Sequence, residues 1–263
     1  MRDKLEQKEI ADFLQNTLHH VLRFTEPIKA FARSPQSIYA IILYASIVEY
    51  SRGCLTLLRG GDLTCLPPLI RSMLEAYVDL INVTRDADYA HVMQAAYLKD
   101  RLDIYKAAMK EPDNPYLNSV PQLEDLDERM SSTQKEFEEV KGEMQKLGRD
   151  ILKISERFKL AGLQPIYPVI YKMLCQDAHN NPNSLISRHL EATAGGLEVT
   201  FFRDKDVAEV AALLDTMFAV IMESIAMIRQ FFGVNRDAQQ FEDLRRVVGE
   251  FKARLAEQYP IIQ

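Results

Sequence analysis

Three charged side chains recur at intervals of four in an otherwise apolar stretch: Arg71, Glu75 and Asp79. Spacing of four stacks side chains on one face of a helix. A guanidinium beside carboxylates in apolar surroundings must be paired or hydrated, because desolvating an isolated charge is costly. Such an arginine can hold a phosphate or a carboxylate through its planar fork. A catalytic set would also need a proton carrier near neutral pH, and His179, in a turn after an apolar helix, is the candidate. Asp177 and Glu49 are further carboxylates that could join it. The catalytic candidates are therefore Arg71, Glu75 and His179. The competing reading of the same residues is an internal salt-bridge and hydrogen-bond network that fixes helix register.

Other chemistries leave no trace. The sequence has no Walker loop, no dinucleotide glycine motif, no nucleophile elbow and no His-Glu-x-x-His. The paired Glu-x-x-His of di-iron bundles is missing too, so neither a metal nor a cofactor is expected. His19 and His20 are adjacent, which on a helix turns their rings about 100° apart, and they read as a solvated pair. Cys54, Cys65 and Cys175 are an odd set without close spacing and read as free thiols, with Cys54 and Cys65 buried in or beside apolar helices.

The elements that must position these groups are helices. The segment around Arg71 is apolar nearly all round, so it should be buried on most sides, with Pro67 and Pro68 in its first turn. Apolar periodicity places helices over about 3–25, 36–59, 64–84, 86–110, 166–177, 204–232 and 236–258. A short helix capped by Asn183 or Ser184 should run to about 193, and 197–202 is the one extended piece. Between 121 and 158 the apolar residues alternate at three and four, from Leu123 and Leu126 to Ile154 and Phe158, with charge on the other faces. That is the period of a coiled-coil or bundle seam. It reads as one long helix, packed on its own chain or protruding as an arm that dimerises or grips a partner. The expected fold is all-α, a single helical domain of eight or nine helices over 1–263.

Two segments carry a resemblance. Leu69-Ile70-Arg71-Ser72-Met73-Leu74-Glu75-Ala76-Tyr77-Val78-Asp79-Leu80 resembles the L-R-S-x-x-E helix of an uncharacterised family of bacterial helical proteins, classed as a domain of unknown function. Tyr171-Lys172-Met173-Leu174-Cys175-Gln176-Asp177-Ala178-His179 is similar to that family's late Y-x-x-L-S/C-x-x-x-H segment. The resemblance spans about residues 36–230 and makes Arg71, Glu75 and His179 the family's characteristic polar positions. It brings no established reaction. The family's helical layout is similar to the HEPN superfamily, whose ribonucleases use an Arg-x(4–6)-His motif, and Arg85-Asp86-Ala87-Asp88-Tyr89-Ala90-His91 matches that spacing. Under this analogy His91 would move protons at a ribose hydroxyl and Arg85 would stabilise phosphate charge, without a metal. Asp86 as a helix cap is the structural explanation for the same junction.

Composition bounds the function. Of 263 residues 47% are hydrophobic, enough for a substantial core, and the net charge is −6. That balance argues against non-specific coating of nucleic acid. The longest apolar run, Ile38 to Val48, is short for a bilayer span, and the first residues are unlike a signal peptide. The expectation is a cytoplasmic protein with no membrane association. It would act as a helical scaffold or interaction protein, as a homodimer or with a helical partner. The alternative is a HEPN-like ribonuclease or nucleotide-binding protein of a toxin or phage-defence system, with RNA or a nucleotide as partner.

Overall fold

The computed structural model describes residues 5–26, 28, 34–111, 113–118, 125–179, 181–193, 195–201 and 205–260. Among the described residues the chain is all-α apart from one small ribbon, and it divides into two compact units, 1–84 with 158–263, and 85–157.

The first unit contains α1 (Gln7–Thr25), α2 (Pro35–Gly60), a 3-10 turn at Leu63–Cys65 and α3, whose helix runs Leu66–Arg85. After residue 158 come a π turn (Tyr167–Tyr171), α8 (Lys172–Ala178), α9 (Pro182–His189), strands β1 (Leu190–Thr193) and β2 (Gly196–Val199), α10 (Val207–Phe231) and α11 (Ala238–Gln258). Helices α1, α2, α10 and α11 pack on one another. Phe13 of α1 stacks on Phe251 of α11 at 3.8 Å and meets Phe218 of α10 edge-on at 5.6 Å.

Local chemistry explains the helix ends. Ser34 accepts a hydrogen bond from the Ser37 N–H at 3.2 Å with Pro35 in the first turn, and Asp206 and Glu209 form a reciprocal capping box on α10. Helix α3 is buried through Ile70, Met73, Leu74, Ala76 and the run Val78–Val83, as its apolar sequence requires. Against it α2 presents Gly53, where an added Cβ would stand 3.0 Å from Leu69 Cδ1, so the glycine is what lets the two helices approach.

One buried charge escapes the apolar reading of α10. Arg229 is 5% exposed, donates to the carbonyls of Phe24 and Arg236, and lies 5.3 and 5.0 Å from the Phe24 and Phe241 ring centres. Desolvation lowers its pKa, while the Phe24 carbonyl it meets lies in the last turn of α1, where a cation is favoured.

The second unit holds α4 (Tyr89–Lys110), α5 (Pro115–Asn118) and α6 (Leu126–Lys146). Gln94 bonds Glu136 at 2.9 Å and Asp86 pairs with Arg149, so α4 and α6 run antiparallel. Thr133, Val140 and Met144 of the seam are buried. The long helix expected over 121–158 is corrected: α6 stops at Lys146, Gly148 takes a left-handed φ of 64°, and α7 resumes only at Ile154–Leu160. Left-handed backbone is cheap for glycine and ends the hydrogen-bond ladder without losing the apolar register. Residues 121–124 of the seam lie outside the described residues. This split and the short α5 give more helical segments than the eight or nine expected.

Two further local readings are corrected. The cap of α9 is Asn181, accepting from the Asn183 N–H at 3.0 Å with Pro182 next, and that helix ends at His189. Residues 190–193 are then a strand pairing with the extended piece, Leu190 opposite Val199. By length and composition α2 and α10 could each cross a membrane; the most apolar window of α10 is 61% buried in the protein, that of α2 28%.

Candidate functional site

Helix α3 sets Arg71 and Glu75 one turn apart, and the two pair at 2.9 Å between Arg71 Nη2 and Glu75 Oε1. Their side chains are 23% and 31% exposed, so the pair is half-buried rather than sealed. A third group completes it. The Tyr171 hydroxyl donates to the same Glu75 oxygen at 2.7 Å and accepts from Arg71 Nη2 at 3.4 Å. The guanidinium carbon also lies 5.7 Å from the Tyr171 ring centre, within cation–π range.

A π turn places that tyrosine. Pro168 removes one N–H from the helix, and the Tyr171 N–H reaches back five residues to the Ile166 carbonyl at 3.3 Å. The widened turn brings the Tyr167 and Tyr171 rings into a stack 5.3 Å apart and sets Phe158 4.9 Å from Tyr171. The phenol is thus buried among aromatic rings with its hydroxyl directed at Glu75. Cys175 lies one turn further along and adds to the rise in the Tyr171 pKa.

The electrostatics follow from this packing. Burial raises the Tyr171 pKa first, opposed by the Arg71 contact and reinforced by the bonds to Glu75 and Cys175, so the phenol keeps its proton through neutral pH. Arg71 is raised chiefly by its bond to Tyr171, with the Glu75 charge adding, against its own desolvation. The three groups form a closed triad of carboxylate, guanidinium and phenol. Its one loose end is Arg71 Nε, buried without a partner among the described residues.

The structure brings Arg71 and Glu75 together and leaves His179 outside. His179 is exposed at the C-cap of α8, its N–H donating to the Cys175 carbonyl at 3.0 Å. Among the described residues its ring has no hydrogen bond to Arg71 or Glu75. Tyr171, Cys175 and His179 recur at intervals of four, but α8 ends at Ala178, and His179 at its C-cap stands about 12 Å along the axis from Tyr171 at the ordinary helical rise. Asp79 is buried, Glu49 is exposed, and Asp177 pairs with Arg188 at 3.4 Å. Sequence reasoning passed over Tyr171 and Cys175, although both stand in the quoted late segment; the four-residue spacing ahead of His179 was the available signal.

In the unit 85–157, His91 lines a shallow cavity of ≈ 580 Å³ with Gln94, Glu139, Glu143 and Lys146. Arg85 is exposed at the end of α3 and does not line it. The Asp86 carboxylate accepts from the Asp88 N–H at 3.0 Å and pairs with Arg149, so it braces the junction, while Asp88 takes the cap position of α4. Cys54 is buried, Cys65 is exposed, contrary to the expected burial, and all three cysteines are free. His19 and His20 are both exposed, their ring centres 5.9 Å apart. No cluster of three or more His, Cys, Asp or Glu able to hold a metal occurs among the described residues.

No curated protein and no solved structure matches the chain. A family model described as a family of unknown function, DUF5677, matches residues 37–197. That span is more than half of the chain and takes in both segments of the triad, the α3 helix with Arg71 and Glu75 and the late segment with Tyr171. On that match the chain belongs to the DUF5677 family of unknown function.

Proposed function

We propose that the chain is a helical interaction protein, and that Arg71, Glu75 and Tyr171 are the polar bond holding α3 to the helix through Tyr167–Ala178 rather than a catalytic centre. What supports this reading is that the three groups bond to one another, at 2.9, 2.7 and 3.4 Å, with a phenol that keeps its proton as the third member and only Arg71 Nε left over. Such a set orients helices without needing a reaction to explain it. The partner is a helical protein or a second copy of the chain. A cytoplasmic location goes with the free thiols, and no membrane span is assigned to α2, which carries Glu49 and Arg52 within its length.

The test pairs stability with cleavage. Tyr171→Phe should cost about 1.5–3 kcal/mol, the worth of a hydrogen bond to a charged group, and lower the Tm by several degrees. His179→Ala should leave the Tm unchanged. The purified chain should leave a mixed-sequence single-stranded RNA intact with or without chelator, and its expression should not arrest growth. RNA cleavage abolished by His91→Ala at unchanged Tm would replace this reading with the HEPN-like ribonuclease.

A further inference from the structure

The ribbon β1–β2 stands in water on both faces: all eight of its residues are exposed. Its register sets Leu190 opposite Val199 and Ala192 opposite Leu197, so these four share one face, while Glu191 and Glu198 face each other on the reverse. Phe201 follows at the next position of the same alternation. Leu197 is 72% exposed, Val199 62% and Phe201 73%. A two-stranded ribbon without cover is marginal in water, and a contiguous exposed apolar face marks a contact. Yet the base of the ribbon is firmly held. The Thr200 N–H bonds the His189 carbonyl at 2.8 Å, and Arg188 of α9 pairs with Asp177 of α8. The apolar face is therefore presented from a fixed support.

We propose that this face is where the chain pairs with a second copy of itself, two ribbons packing face to face about a two-fold axis. The inference rests on the reading of the chain as an interaction protein and names its partner. Charge decides the geometry. Face-to-face packing keeps the carboxylates of Glu191 and Glu198 on the outer surfaces of both ribbons, in water. Edge-to-edge pairing would instead line the same glutamates of both copies in one cross-strand row, where like charges repel. The face itself carries no charge and is its own complement, as a two-fold contact requires. The exposed apolar residues leave on the order of 500 Å² per chain, so a pair covers roughly 1,000 Å², the lower limit for a specific interface. The dimer is accordingly weak and concentration-dependent. A lipid surface is the less favoured cover, since the two glutamates back the face and the chain carries −6.

The experiment is sedimentation velocity of the full chain from about 1 to 100 µM, the range a weak dimer spans. Wild type should shift from monomer to dimer across that range. Leu197→Glu with Phe201→Glu should remain monomeric at unchanged helical circular dichroism. A second measurement needs no variant: amide protection over 190–200 in wild type should rise at least several-fold between the two concentrations. A wild type monomeric throughout, a dimer that survives the double substitution, or protection independent of concentration would overturn the proposal. So would co-flotation of wild type with phosphatidylcholine vesicles that the double substitution abolishes. Those results leave the interaction reading standing if RNA stays intact, whereas RNA cleavage removes that reading whatever the oligomeric state.

Discussion

Glu75 takes a hydrogen bond from Tyr171 and an ion pair from Arg71 on a single oxygen. The buried protons of this chain also set its response to alkali. Burial pushes the Cys54 thiol up to about 12 and raises the phenols of Tyr44 and Tyr171 above their ordinary value. In the unfolded chain a thiol ionises near 8.5 and a phenol near 10, roughly. Above those values the unfolded state sheds protons that the folded state keeps, so stability falls as pH rises. The urea midpoint should be level from about pH 7 to 8 and decline from about pH 9 upward, more gently in Tyr171→Phe. A midpoint that climbs above pH 10 would contradict this account of the burial.

Among the elements, two helical glycines make opposite predictions. At Gly53 the space for a side chain is already occupied by Leu69 of α3, so Gly53→Ile should destabilise by about 1–3 kcal/mol through overpacking. At Gly142 of α6 an added Cβ meets nothing within 4 Å, so Gly142→Ala should stabilise by about 0.5–1 kcal/mol through helix propensity. Chemical denaturation of the two variants checks both signs, and equal effects would mean that α2 and α3 do not meet as closely as described. The π turn shows the same principle in the other direction. A proline that would break an α-helix is absorbed by a wider turn, and the cost is spent on aligning two tyrosines.

At the scale of the whole molecule the chain separates into a continuous unit, 85–157, and one built from both sides of it. Met144 is 2% exposed on α6, and Met144→Ala should cost about 2–4 kcal/mol. If the units open independently, amide exchange should quicken across α4 and α6 while protection in α10 is unchanged. Equal loss of protection in α10 would mean that the chain opens as one cooperative body.

Periodicity and capping are local properties, and they made the helices legible: Ser34-Pro35 opened α2, the apolar cylinder of α3 was recognisable as buried, and four-residue spacing put Arg71 against Glu75. The seam of α6 was legible as a pattern but not as a length, because Gly148 interrupts the backbone without disturbing the apolar register. What the tertiary structure alone decided is which distant residue completes the pair. Tyr171 lies a hundred positions from Arg71, and the four-residue spacing of Tyr171, Cys175 and His179 does not say which of them will reach it. That depends on a π turn, on where α8 ends and on how two helices dock, and those are settled by packing across the fold. For the same reason the apolar periodicity of α10 says nothing of Arg229, around which two rings and two carbonyls, far apart in the chain, close.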